Sequence, residues 1–136
     1  FKELGYQVTA LDRDVSGLQD LAGQGMEIVA ADLEDGSPWP LGAREFDGIV
    51  VANYLHRPLL PHLAGALAPG GLLIYETFGI GNERFGKPSN SNFLLRPGEL
   101  LTFAAAYGLQ VLAYACGEVA EPKPAVTQRM VARRLA

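Results

Sequence analysis

The sequence predicts an α/β domain: a doubly wound, mostly parallel sheet with one antiparallel strand added at its edge. Three observations carry this expectation. Short apolar runs alternate with segments of helical periodicity, as in a parallel sheet with crossover helices. The alternation ends in two consecutive strand-like runs, Leu109–Cys116 and Val126–Leu135, joined by the turn Glu121-Pro-Lys-Pro124, which places an antiparallel strand at the sheet edge. Three strand-like runs also end in the polar residues Asp12, Asp32 and Asn53, on the side where an open parallel sheet binds its ligands.

The chain opens on Phe1-Lys-Glu-Leu4 before Gly5, the pattern of a last helical turn stopped by a left-handed glycine. Val8–Leu11 follows as a short buried strand. Asp14 then caps a helix whose apolar face is Val15, Leu18, Leu21 and Ala22, ended by Gly23 and Gly25. Met26–Ala31 is the second strand, Glu34–Pro40 a loop, and Phe46–Ala52 the third strand. Leu59, Leu60, Leu63, Ala64 and Leu67 recur at helical spacing, with Pro58 and Pro61 tolerated near the start and Pro69-Gly70-Gly71 forcing a stop. Leu72–Thr77 is the fourth strand. The polar stretch Phe78–Leu95 is too long for an ordinary connection and suits a functional or mobile loop. A helix follows from Pro97, with Leu100, Leu101, Ala104 and Tyr107 on its apolar face.

Composition bounds the class. The 136 residues are 49% hydrophobic, enough for one domain with a core, and no second domain is marked. Lys and Arg number 11 against 15 Asp and Glu, so no basic field favours nucleic acid or an anionic membrane. The single Cys116 builds neither a disulfide framework nor a thiolate metal site. No run is long enough to span a bilayer and no basic-then-apolar leader opens the chain, so a soluble protein is expected, and the lone cysteine fits a cytoplasmic one. A homo-oligomer is compatible with the sequence. Because the chain starts within a helix, the natural protein is expected to extend upstream by about 30–40 residues, the size of a strand, turn and helix start in a βαβ unit.

A carboxylate at the end of a strand in a nucleotide-binding unit accepts hydrogen bonds from ribose hydroxyls, the role expected of Asp12. Asp32 has the chemistry to accept from an exocyclic amine, with Leu33 offering its N–H and an apolar contact. His56 is a candidate to take a proton from a nucleophile. A helix cap, a loop carboxylate and a water-exposed histidine are the plain alternatives for these residues.

Leu67-Ala-Pro-Gly-Gly71 before an apolar strand, downstream of Phe46-Asp-Gly-Ile-Val-Val, resembles the L-x-P-G-G signal of class I S-adenosylmethionine-dependent methyltransferases, which are Rossmann-like. Val8-Thr-Ala-Leu-Asp12, Ala30-Ala-Asp32 and Gly108-Leu-Gln-Val111 fall in the matching order. The resemblance covers essentially the whole chain and implies S-adenosylmethionine as cofactor. It puts Asp12, with Arg13 beside it, at the ribose, Asp32 with Leu33 at the adenine, and Asn53 with Tyr54 beside the methionine portion. The family's first strand and its glycine-rich loop have no counterpart in the sequence; that strand is central in the family's sheet, so the elements carrying Asp12 and Asn53 would lose a shared neighbour.

On the acceptor side, Glu76, Asn82 and Arg84 are candidate substrate contacts. The run Asn82-Glu-Arg-Phe-Gly-Lys-Pro88, with Phe93-Leu-Leu-Arg-Pro-Gly-Glu-Leu100, is similar to bacterial tellurite-resistance-like methyltransferases. Leu55-His56 after Asn53-Tyr54, in place of a Pro-Pro-aromatic run, disfavours a base or glutamine nitrogen as acceptor. Three other readings compete. A non-catalytic relative would use the fold for binding or oligomer contacts. A nicotinamide-dependent oxidoreductase would also use Asp12, but the terminal antiparallel pair and the Pro-Gly-Gly turn argue against it. A phosphate receiver would want an acid where Asn53 stands.

Overall fold

The computed structural model describes residues 8–12, 26–34 and 36–135. The chain divides into two compact units, Phe1–Gly42 and Ala43–Ala136.

In the first unit, β1 (Val8–Asp12) and β2 (Met26–Ala30) pair in parallel, in register from Val8 beside Met26 to Asp12 beside Ala30. Across the pair the Thr9 hydroxyl donates to the Glu27 carboxylate at 3.2 Å. The helix expected on Val15, Leu18, Leu21 and Ala22, its cap Asp14, and the turn at Gly5 lie outside the described residues.

The second unit is built on a four-stranded sheet. Its strands are β3 (Phe46–Ala52), β4 (Leu67–Phe78), β5 (Leu109–Val119) and β6 (Ala125–Arg134), in the order β3-β4-β6-β5. β3 runs parallel to β4, while β6 is antiparallel to both β4 and β5. Three of the four strands run one way and the C-terminal β6 runs against them, as the terminal pair of strand-like runs predicts, but β6 is inserted between β4 and β5 and not added at the edge, so β5 is the edge strand; β3 has the bounds expected of it. The architecture is mixed α/β and Rossmann-like.

Helix α1 (Leu60–Gly65) follows a 3-10 turn at Arg57–Leu59, and each carries its proline in the first turn, where the missing N–H costs nothing. The helix stops short of the expected end, and β4 begins before the Pro-Gly-Gly stretch. The cause is pairing: the Phe46 N–H donates to the Ala66 carbonyl at 2.7 Å and Leu67 lies beside Phe46, fully buried. Gly71 lets this corner close, since a Cβ there would lie 2.8 Å from the Ala68 carbonyl oxygen and 2.9 Å from that of Phe46. Arg134 donates to the Leu67 carbonyl and to Glu45, tying the end of β6 to the start of β4.

Because residues opposite one another in register share a sheet face, the sheet has one covered and one open side. Leu73, Tyr75 and Thr77 of β4 with Gln128, Met130 and Ala132 of β6 are buried. On the other side Val50, Ile74, Glu76, Arg129 and Arg133 are exposed. Helix α2 (Glu99–Ala106) packs on β5 and β6 through Leu100, Phe103 and Ala104. Leu101 and Tyr107, expected on its apolar face, are exposed. The register of the helix is set instead by Leu100, whose N–H donates to the buried Gln128 Oε1 at 2.8 Å.

The long connection between β4 and α2 is a built loop. The Ile80 N–H donates to Leu95 O at 2.9 Å and the Leu95 N–H to Phe78 O at 3.0 Å, which brings its ends together, and Leu94 and Leu95 are buried beneath it. Such closure is that of a compact surface loop packed on its own side chains. Its tip, from Glu83 to Lys87, is exposed.

Candidate functional site

Polar residues follow the strands of both units, as expected. Asp12 is the last residue of β1, beside Ala30. Asp32 lies just past β2, where its Oδ1 accepts the Glu34 N–H at 2.9 Å, and Leu33 is half-buried. That short turn holds the carboxylate in place, and a carboxylate with two oxygens keeps acceptor capacity beyond one such bond. Arg13 lies outside the described residues.

In the second unit, Asn53 is the first residue after β3. Its φ is 56°, and among the described residues it is the non-glycine residue with a positive φ. Asparagine tolerates this left-handed conformation better than most side chains do. The Asn53 N–H donates to Glu76 O at 2.9 Å, which continues the β3–β4 ladder one residue beyond the strand. Glu76 itself is exposed on the open face, opposite Arg129 of β6. Tyr54 is anchored from the sheet: the Tyr75 hydroxyl, on the covered face, donates to Tyr54 O at 2.7 Å. Burial pushes the Tyr75 phenol well above the ordinary range, and the nearby Glu99 carboxylate adds to the rise. Leu55 is buried, and the half-buried His56 is in extended conformation, its carbonyl accepting the Leu59 N–H.

Arg57 opens the 3-10 turn, its guanidinium bonded to the loop. Its Nε and Nη2 donate to the two Glu99 oxygens at 2.7 and 2.9 Å, its Nη1 to Asn92 O at 3.1 Å, and Nη2 again to Leu94 O at 2.9 Å. Glu99 Oε1 also accepts the Arg96 N–H. Burial pushes the Glu99 carboxyl up, but the Arg57 hydrogen bonds, the Arg96 N–H and the two positive charges outweigh it and hold the group below its ordinary value. The same pairing raises Arg57.

The predicted acceptor-side residues differ in what they are free to do. Asn82 is buried, its amide nitrogen donating to Pro88 O at 3.0 Å and its Oδ1 accepting the Val126 N–H at 3.1 Å. It thereby fixes the loop to the start of β6. Arg84 is exposed, pairs with Glu118 at 2.7 Å, donates to Gly81 O and lies over the Phe85 ring. Within this unit, then, Asn53, Tyr54 and His56 lie on the segment leaving β3, joined to Glu76 of β4 through the Asn53 N–H, while Asn82 and Arg84 sit on the loop after β4.

Arg57, Tyr75, Glu99 and Gln128 were not expected from the sequence. Gln128 alone left a signal, as an amide side chain inside an apolar strand run. Among the described residues no three His, Cys, Asp or Glu gather as a metal site, and no helix is long and apolar enough to cross a membrane.

No family model and no curated relative matches the chain. Solved structures do. TehB from Haemophilus influenzae superposes with a TM-score of 0.73 at 17% identity, over 98% of this chain and 51% of that one. The 1,6-didemethyltoxoflavin-N1-methyltransferase of Burkholderia thailandensis, solved with S-adenosylhomocysteine, gives 0.67 at 19% identity, over 98% and 64%. The cyclase SpnF gives 0.68 at 14% identity, over 96% and 67%. The chain thus spans between half and two thirds of the length of the first two. Its fold is that of the class I S-adenosylmethionine-dependent methyltransferases.

Proposed function

We propose that this chain is the greater part of a single methyltransferase domain that moves a methyl group from S-adenosylmethionine to a small-molecule acceptor. The observation that carries the reading is that, within each unit, polar residues stand at or just beyond the ends of parallel strands: Asp12 and Asp32 at β1 and β2, and Asn53 after β3. Asp12, with Arg13, would hold the ribose, Asp32 and Leu33 the adenine, and Asn53 and Tyr54 the methionine portion. The tellurite-resistance-like subgroup rests on the sequence runs Asn82–Pro88 and Phe93–Leu100.

The bound cofactor would supply an electrophilic methyl on a sulfonium that is already a good leaving group. What remains for the protein is alignment, which can account for much of the rate. Asn53 and Tyr54 serve that end because their backbone is fixed by Glu76 and Tyr75. Glu76 is exposed and can meet the acceptor, and Arg84 can do so if it leaves Glu118. Asn82, whose amide is spent on the loop, contributes by shaping it. His56 is the group that would take the acceptor's proton.

A second reading has one observation in its favour: SpnF, a cyclase, shares the fold to a similar degree, and one fold hosts many chemistries. A homo-oligomeric binding protein would be another use of the same scaffold.

Calorimetric titration of S-adenosylhomocysteine into the protein tests the proposal. Saturable binding is expected, weakened about 10- to 100-fold by Asp12→Ala, the loss of a charge-assisted hydrogen bond. A folded protein that shows no binding would sink the proposal. Binding without transfer of labelled methyl to any member of an acceptor panel would favour the second reading.

A further inference from the structure

We infer that Arg57 is a positioning residue for that site: paired with Glu99, it locks the turn carrying Asn53 and Tyr54 to the loop that follows β4. The inference rests on the methyltransferase reading and adds a residue to it. The geometry is specific. Four hydrogen bonds leave one guanidinium and end on a carboxylate at the head of α2 and on two carbonyls of the loop, Asn92 and Leu94. Glu99 is in turn held by the Arg96 N–H, and Gln128, buried on β6, binds both Arg96 O and the Leu100 N–H. On the other side of the same turn Tyr75 holds Tyr54 O. The segment from Asn53 to Arg57 is therefore gripped from the sheet at one end and from the loop at the other.

The pair is only partly withdrawn from water, with the Arg57 side chain 33% exposed and that of Glu99 11%, so it adds little stability beyond what apolar packing would give. What it adds is geometry, since the planar fork fits a carboxylate in one orientation. A lysine keeps the charge and loses the fork. Loosening the clamp would leave the strands intact but allow the loop and the Asn53–Tyr54 backbone to shift relative to one another. Binding of the cofactor would then have to restore that arrangement.

The test combines two measurements on Arg57→Lys and Glu99→Gln, made well below the melting temperature of each. Hydrogen exchange is followed at the Leu94 and Asn53 amides, both hydrogen-bonded in this structure, and S-adenosylhomocysteine affinity is measured by calorimetry. Both variants should speed exchange at the two amides together, weaken binding at least fivefold, and have no additive effect when combined. If exchange rises while affinity is unchanged, Arg57 is structural only; the positioning role fails and the methyltransferase reading stands. If affinity falls with no change at Asn53, the clamp is not the cause and the inference fails. If the unaltered protein does not bind, both fail, and this is seen before any variant is made. Should Arg57→Lys not fold, Glu99→Gln decides alone.

Discussion

The Tyr75 hydroxyl donates to the Tyr54 carbonyl at 2.7 Å, joining the middle of the sheet to the turn after β3 across 21 residues of chain. Tyr75→Phe keeps the ring and removes the donor. The expected cost is about 1 kcal/mol in urea unfolding, that of one net hydrogen bond whose acceptor can partly recover water. The phenol, raised by burial, should also be missing from the ordinary tyrosine transition in an alkaline absorbance titration. Its contribution to stability is complete below the unfolded phenol value of about 10 and is lost as pH rises above it.

Glu99 titrates with the opposite sign. Its carboxyl lies below its ordinary value in the folded chain, so its stabilisation is present above the unfolded value and disappears as pH falls through the folded one. The urea midpoint should fall as the pH drops below the ordinary carboxylate range, and the fall should be shallower in Glu99→Gln. An acid limb identical in the two proteins would contradict this.

Gln128→Leu fits an apolar strand yet strands two backbone groups, the Leu100 N–H and the Arg96 carbonyl. A loss of roughly 2–3 kcal/mol is expected, with fast exchange at the Leu100 amide. A variant as stable as the parent would show that α2 recaps itself.

Neighbouring glycines in β4 should respond differently to alanine. Gly71→Ala meets two carbonyl oxygens under 3.0 Å and should cost about 1–3 kcal/mol through forced backbone movement. Gly70→Ala meets nothing within 4 Å but takes φ of +78°, a strain of about 1–2 kcal/mol. Thermal melts of the two variants rank them.

Period and punctuation in the sequence were enough for the strands themselves, though not for their order: β3 runs Phe46–Ala52 as expected, Asp12 ends β1 and Asn53 follows β3, but β6 lies inside the sheet and not at its edge. The helix ends were less legible. Proline and glycine mark where a helix must stop, whereas α1 stops earlier because Leu67 is claimed by pairing with Phe46. The supports of the candidate site left almost no local trace. Arg57 and Glu99 are 42 residues apart and Leu100 and Gln128 are 28 apart, and no periodicity links such partners. An arginine after a turn and a glutamate at a helix start each look like ordinary surface charge until the fold brings them together.

The left-handed backbone at Asn53 limits how its side chain can be interrogated. Alanine there alters two things at once, removing the amide and straining the φ of 56°, so lost binding could not be assigned to either. Glycine accepts the conformation without strain, and aspartate keeps the shape and much of the local tolerance. Between them they separate chemistry from conformation. The same reasoning bears on natural variation: a position held by backbone shape admits asparagine, aspartate and glycine first, so drift there among relatives would follow conformational permissiveness before it followed the ligand.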